Sequence, residues 1–499
     1  MKSAGSNLNL NSASFFKPII LLVAAVLSIF VGWFIASYAN PFTTTVLVAA
    51  IVMNVVAIVN PRGGLYLLVV TTGYLDLVKR LGILTDSLSG LDITVTLAVA
   101  PLLMQSICVG VVIKNILEKR KLENWQRLVF ALVIVAICAA AFESFRGGAG
   151  FLNGAQSLVN SGGYLPLVLI TSMIFPEPEE ALKILRFALW VFLPVALYSI
   201  WQQIFGLSDF EVRFLQSGYT ITVSDLDDIR PRPFSTLNSP HALSVCTAIL
   251  AGVALLVPFK GGKRVVWQYP VALVYVAGCV ATLGRSGIFI IPIFLIGWLC
   301  FRWKWSTFAF YGTILGALLL LMVNAEPVLE SLGSLQRLLP MDNNDVSTEV
   351  FRLGTFSERL MSFHNALTNP RFHTLFGDPE VTKQDEEDSY DETVAHDQIT
   401  QTLVRYGFVG LVASGIIAVC GLWIAHRTVL SLKDRTIREI AIALLSVVTS
   451  VVYSGMLFGT HLDQFPVDFF FALLVGILVL CCERRLSPDF KEAPLATLA

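Results

Sequence analysis

The chain has 499 residues, of which 55% are hydrophobic and only 14% are charged. A soluble domain carries about 25% charged residues, and the apolar residues here occur in runs of roughly the 20 residues that a helix needs to cross a bilayer. The 35 basic and 36 acidic residues nearly cancel, so the charge gives no basis for nucleic-acid binding. The composition excludes a soluble enzyme, a disordered scaffold and a secreted disulfide-rich module, and it indicates a polytopic membrane protein.

The apolar runs predict an all-α membrane protein with about 14 transmembrane helices, or about 12 if the two shortest runs do not cross. We expect residues 1–499 to form a single integral membrane domain. The predicted spans are 16–37, 42–60, 63–77, 92–114, 127–143, 162–176, 183–205, 240–259, 266–284, 286–302, 306–323, 400–425, 437–457 and 465–482.

The positive charges of the short loops predict the orientation. With the N-terminus in the cytoplasm, the strongly basic short segments all lie on the cytoplasmic side, as the positive-inside rule requires; they are 114–127, 260–264, 302–305, 426–438 and Arg484-Arg485. Two long polar segments then lie outside, a first extracytoplasmic loop at 206–239 and a large one at 324–398 that contains an amphipathic stretch. Both termini are expected inside, and any chemistry is expected on the outer face.

Common cofactor motifs are missing from the sequence. It has no Walker loop, GxGxxG, HExxH or CxxC, which argues against an ATP-driven pump, a nicotinamide enzyme and a zinc protease. The acidic run 378–392 lacks the regular spacing of a calcium loop. We therefore expect no cofactor and no metal, and the remaining candidates are arginines and histidines at the outer boundary.

The first candidate cluster is the stretch from Arg230 through Arg232 to His241, where Ser-Pro-His predicts the start of a helix. Two arginines on a proline-stiffened loop beside a helix N-terminus suit a phosphate group. The three aspartates of residues 225–228 offer an equally good alternative, because they can simply neutralise the arginines.

The second candidate is Arg285, in the hairpin Thr-Leu-Gly-Arg-Ser between two predicted spans. A charge at the membrane boundary is a functional candidate by default, although an arginine there can also extend to water without further function. The third is His396, which can accept a proton near neutral pH or merely lie at the interface; Asp397 is a candidate to orient it. The fourth is Arg359, in an amphipathic helix predicted on the outer leaflet, where it contacts either lipid head groups or one specific ligand.

These pieces, in this order, resemble the superfamily of O-antigen ligases and O-antigen or exopolysaccharide polymerases, which are bacterial membrane glycosyltransferases. The similar stretches are Arg232 to His241, Thr282 to Ser286, the helix from Arg359, and Ala395-His396-Asp397 followed by Gly407-Phe-Val-Gly410. The chain departs from the family pattern at three positions: His241 and Asp397 stand where asparagine is usual, and Gly284 replaces the common serine.

The resemblance implies a GT-C-like fold in the bacterial inner membrane and a donor glycan linked to polyprenyl diphosphate, without nucleotide sugar or metal. Arg232, Arg285 and Arg359 would bind the diphosphate and His396 would be the catalytic base, with Arg230, His241 and Asp397 as secondary candidates. Expected partners are the glycan acceptor, membrane lipids and copolymerase, flippase or export proteins.

Three functions remain open from the sequence. The first is a polymerase that joins lipid-linked repeat units and inverts the anomeric centre, which the number of predicted spans favours. The second is a ligase that transfers finished glycan to a lipid or protein. The third is a transporter of a small anion, which is disfavoured because the spans carry few charges and transporters place polar groups near the middle of their helices.

Overall fold

The computed structural model describes residues 40–85, 88–118, 124–146, 154, 158, 162–217, 232–303, 373–377, 397–459 and 461–486. These residues are mostly helical, and their only β pairing is an isolated bridge between Lys260 and Lys263. The helices are α1 (Pro41–Val59), α2 (Pro61–Leu81), α3 (Gly90–Leu117), α4 (Asn124–Arg146), α5 (Leu167–Ile174), α6 (Pro178–Val191), α7 (Leu193–Phe205), α8 (Asp209–Gln216), α9 (Pro240–Leu256), α10 (Gln268–Ala281), α11 (Arg285–Cys300), α12 (Gln398–Leu430), α13 (Arg435–Phe458) and α14 (Val467–Leu486).

The described part of the chain contains 6 helical stretches that are long and apolar enough to cross a membrane. They are Pro41–Val59, Asp92–Leu117, Gln126–Arg146, Pro178–Phe205, Gln398–Leu430 and Arg435–Met456, and α9, α10 and α11 are shorter apolar helices. The protein is therefore an all-α, multi-pass membrane protein, as the composition predicts. The predicted total of about 14 spans stays a prediction, because six of the predicted spans correspond to these stretches, and 16–37 and 306–323 lie outside the described residues.

Asparagine or serine followed by proline begins several of the helices. The side chain of Asn40 accepts a hydrogen bond from the Phe42 amide, and that of Ser239 accepts one from the Ala242 amide. In both helices the next residue is a proline, which has no amide hydrogen to satisfy and already holds a helical φ. The predicted helix start at Ser-Pro-His is confirmed. A proline also divides the predicted span 183–205, which is two helices that meet at Phe192, just before Leu193-Pro194.

Helix α9 lies at the centre of the bundle. It packs against α10, α11, α13 and α14, and nearly all its side chains from Ala242 to Leu256 are buried. Helices α1, α2 and α3 form a neighbouring group that packs together. By contrast, the most apolar stretch of α12 contains no buried residue, which fits a helix at the lipid-facing periphery.

The two ends of the bundle differ in character. At one end, here called the site end, α2, α7, α10 and α13 finish and α9, α11, α12 and α14 begin. The other end, here called the basic end, carries the loop 257–267, residues 301–303 and the turn 431–434. There Arg302 forms an ion pair with Glu439 at 2.6 Å, and Arg264 and Arg302 lie over the ring of Trp298. This separation agrees with the charge pattern from which the orientation is predicted.

Candidate active site at one end of the bundle

The loop 232–239 is fixed to the bundle before it enters α9. Phe234, Ser235 and Leu237 are almost fully buried. The hydroxyl of Ser235 donates to the Val195 carbonyl at 2.6 Å, and the hydroxyl of Thr236 donates to the Gly73 carbonyl at 2.6 Å. Ser235 has a φ of 52°, a left-handed conformation that is unfavourable for a residue with a side chain. The surrounding contacts therefore impose the shape of this loop.

The buried side chain of Arg80 makes several of the bonds that fix the loop 232–239. Arg80, at the end of α2, is 3% exposed. Its guanidinium donates to the carbonyls of Ser235 at 2.6 Å and Leu237 at 3.3 Å, and it pairs with the Glu211 carboxylate at 3.0 Å. It also lies over the Phe234 ring, 4.6 Å from the centroid. Arg80 thus joins α2, α8 and the loop that begins with the predicted site residue Arg232.

Other polar groups complete this cluster. Glu211 is fully buried; it also accepts from the Gln202 side chain at 2.8 Å and from the Ser208 amide at 3.0 Å. Lys79 pairs with Asp76 at 2.9 Å and donates to the Asn238 side chain at 3.0 Å. The sequence interpretation missed the whole cluster. A signal for it is present in the sequence, since Asp76 lies at the end of the predicted span 63–77 and Lys79 and Arg80 follow it.

Arg285 is the first residue of α11 and is half-buried. The turn before it is tight, because Leu283 has a φ of 52° and the Thr282 hydroxyl accepts from the Gly284 amide at 3.1 Å. Gly284 lies directly against α9. A Cβ at this position would lie 2.5 Å from the Cβ of Ser244, whose hydroxyl donates to the Gly284 carbonyl at 2.8 Å. A side chain at position 284 would therefore require α9 to shift.

His241 contacts this hairpin from the start of α9. Its Nδ1 lies 3.3 Å from the hydroxyl of Ser286, the residue after Arg285, and its Nε2 lies 3.1 Å from Nδ1 of His461. His461 is fully buried, and its Nε2 lies 3.0 Å from the hydroxyl of Ser454. The sequence interpretation places His461 on the outer side but does not select it, because the pairing joins residues 220 positions apart.

The start of α12 reaches the same corner. The Gln398 side chain accepts from the Leu462 amide at 3.4 Å, beside His461. The carboxylate of Asp397 caps the helix, accepting from the Thr400 amide and the Thr400 hydroxyl, each at 2.8 Å. His396 precedes Asp397 in the sequence but lies outside the described residues, and whether Asp397 orients it stays a prediction.

The glycine motif of the sequence forms a joint in α12. Gly407 has a φ of 66°, which interrupts the helix, and the short segment 373–377 docks there. The Phe408 amide donates to the Thr374 carbonyl at 3.1 Å, and Arg146 of α4 donates to the Phe376 carbonyl at 2.6 Å. The joint thus attaches the segment 373–377 of the large loop to α12 and α4.

We expect Gly407→Ala to lower the thermal unfolding midpoint of the detergent-solubilised protein. Alanine disfavours a positive φ, and its Cβ would lie 2.5 Å from the Thr374 carbonyl oxygen. Gly415→Ala on the same helix is the control, because a Cβ there meets nothing within 4 Å and alanine favours the helix. An equal midpoint for the two variants would contradict the described joint.

The N-termini of α9 and α11 therefore meet at one corner of the site end, and the N-terminus of α12 lies beside His461. Helix N-termini carry partial positive charge and favour anions. The structure brings His241 and Arg285 to this corner with Asp397 nearby, and it places Arg232 at the head of the fixed loop. Arg230, Arg359 and His396 lie outside the described residues.

Residues 270–415 match the family model described as O-antigen ligase. Over these residues the chain is similar to O-antigen ligases. This match confirms the resemblance to the superfamily of O-antigen ligases and polymerases. The matched residues include the Arg285 hairpin, Asp397 and Gly407, whereas Arg232 and His241 precede them. A comparison with curated proteins found no match.

Proposed function

We propose that this protein is a polymerase that joins polyprenyl-diphosphate-linked oligosaccharide repeat units into a surface polysaccharide or exopolysaccharide. One observation supports a transferase that uses a lipid-diphosphate donor: Arg285 lies within the matched residues 270–415, at a corner of the site end where helices begin. The number of spans predicted from the sequence favours the polymerase over the ligase. An arginine and the N-termini of α9 and α11 suit an anionic headgroup such as a diphosphate, whereas the carboxylate of Asp397 already caps α12.

The proposed reaction is a direct displacement at the anomeric carbon. Arg285, with Arg232 and Arg359, binds the diphosphate and stabilises the negative charge that develops as it leaves, which fixed cations in a partly dry site do well. His396 takes the proton of the attacking sugar hydroxyl. The new bond forms on the face opposite the leaving group, so the anomeric configuration inverts, and neither a metal nor another cofactor takes part.

The charge distribution supports a site on the periplasmic or external face of the bacterial inner membrane. The Arg285 corner belongs to the site end, and the basic loops lie at the other end. Basic loops normally remain in the cytoplasm. Lipid-linked glycan would therefore reach the corner from the outer leaflet, after a flippase has moved it across, and copolymerase or export proteins would act on the product.

The second candidate is a ligase that transfers finished glycan to a lipid or protein, and the printed description of the matching family favours it. Deletion of the gene distinguishes the two functions. A polymerase deletion should leave single lipid-linked repeats and no long polymer, whereas a ligase deletion should leave long polymer attached to polyprenyl diphosphate. Extraction of the lipid-linked glycans and separation by length gives the result, and accumulation of long lipid-linked polymer would contradict the polymerase.

A further inference from the structure

His461 belongs to a closed ring of four hydrogen-bonding residues at the site end. The contacts run from Ser286 to His241, from His241 to His461, and from His461 to Ser454, at 3.3, 3.1 and 3.0 Å. The Ser454 hydroxyl closes the ring by donating to the Ser286 carbonyl at 2.9 Å. His461, Ser286 and Ser454 are buried, so these bonds form where water competes poorly.

The bond from the Ser454 hydroxyl to the Ser286 carbonyl determines which atoms donate in the other three contacts. A carbonyl only accepts, so the Ser454 hydroxyl hydrogen points at Ser286 and its oxygen accepts from Nε2–H of His461. With both rings neutral, Nδ1 of His461 then accepts from Nε2–H of His241, and Nδ1 of His241 accepts from the Ser286 hydroxyl. Neutral rings also avoid a charge in a fully buried position. These directions account for the four contacts of the ring.

The ring holds Ser286 by two of its groups. His241 of α9 binds the hydroxyl, and Ser454 of α13 binds the carbonyl. Ser286 directly follows Arg285, so these bonds fix the first turn of α11 on both sides. Without His461, the Nε2–H of His241 would lose this acceptor, and the Ser454 oxygen would lose the hydrogen that it accepts, although the Ser454 hydroxyl would still donate to Ser286. The hold on Ser286 would therefore weaken.

We infer that His461 is a positioning residue, which holds Arg285 in place through His241 and Ser286. The inference rests on the proposed function in one respect, namely that Arg285 binds a lipid diphosphate. His461 contacts no substrate in this account. It acts through directed hydrogen bonds, and a side chain of similar size without hydrogen-bonding groups cannot replace it.

The test compares two substitutions of His461 by the binding of farnesyl diphosphate to the purified full-length protein in lipid nanodiscs. His461→Leu fills the space but makes no hydrogen bonds, and we expect it to weaken binding about tenfold, the effect of one lost buried partner. His461→Gln carries a donor and an acceptor with similar spacing, and we expect binding within about threefold of wild type. Equal binding by wild type and His461→Leu, or rescue by Leu and not Gln, would overturn the inference.

Two matched controls separate positioning from loss of folding. His426→Leu removes another buried histidine, which packs against Phe301 at the basic end, and should leave binding unchanged. Ser454→Ala opens the ring without a large change in volume and should weaken binding severalfold. Ser450→Ala, one turn earlier on α13, removes only a bond to the Val447 carbonyl and should not. If His461→Leu fails to fold, the comparison of Ser454→Ala with Ser450→Ala tests the inference. Equal binding of farnesyl diphosphate by these two variants would overturn it.

Farnesyl diphosphate carries no glycan, so its binding tests this inference independently of glycan transfer, which tests the proposed function. A wild-type protein that binds farnesyl diphosphate and responds to these substitutions, yet transfers no glycan, would support the positioning role and contradict the proposed function. Failure of the wild-type protein to bind farnesyl diphosphate, or binding unaffected by Arg285→Ala, would overturn the positioning role whatever the transfer assay shows.

Discussion

Arg285→Ala should abolish long polymer in cells while the protein remains in the membrane at its normal level. Removal of a group that stabilises developing charge lowers the rate by about 100-fold or more, and chain growth requires many successive transfers. Arg285→Lys should retain partial activity, because lysine keeps the charge but loses the bidentate geometry. Gel separation of the polysaccharide and immunoblotting of membranes provide the measurement.

The control for this substitution is Arg427→Ala. Arg427 is an exposed arginine that lies over Trp423 near the basic end, so its loss should leave polymer length unchanged. Normal polymer in the Arg285→Ala strain would exclude the proposed role of Arg285. A short polymer in both strains would indicate a general effect of arginine removal on the protein.

Glu211→Gln should destabilise the protein by about 3–5 kcal/mol, the usual cost of removing one partner of a buried ion pair. The substitution keeps the shape of the side chain but leaves the buried guanidinium of Arg80 without its carboxylate partner at 3.0 Å. Because Arg80 also holds the carbonyls of Ser235 and Leu237, the loop after Arg232 should loosen. We expect a large fall in the thermal unfolding midpoint together with reduced polymer.

The ion pair at the basic end provides a matched control. Arg302 and Glu439 are 37% and 25% exposed, and pairs open to solvent contribute only about 0–1 kcal/mol. Glu439→Gln should therefore shift the midpoint little. Similar shifts for the two variants would show that burial of the Arg80–Glu211 pair does not have the predicted importance.

The helices of the described residues were largely predictable from the sequence, whereas the polar contacts between them were not. Apolar runs of sufficient length and caps such as Ser239-Pro240 act locally, so each can be found without knowledge of the fold. The partners Arg80 and Glu211 lie 131 positions apart, and His241 and His461 lie 220 apart. Only the packing of α2 against α8, and of α9 against the turn after α13, brings them together.

Single residues show the same limit. Asp397 was predicted as a candidate to orient His396, and its position before an apolar run also fits a helix cap. The structure shows the capping bonds to Thr400. Gly284 departs from the family pattern in the sequence, and its close contact with Ser244 on α9 depends on packing that the sequence alone does not show.

Reconstitution of the purified protein with one defined substrate tests the central claim most directly. The substrate is a polyprenyl-diphosphate-linked repeat unit in liposomes, supplied without nucleotide sugar and with a chelator present. The account predicts longer lipid-linked glycan with an inverted new linkage and one released polyprenyl diphosphate per transfer, none of which should form with Arg285→Ala. Intact repeat units after incubation with wild-type protein, or equal product from the Arg285→Ala variant, would contradict it.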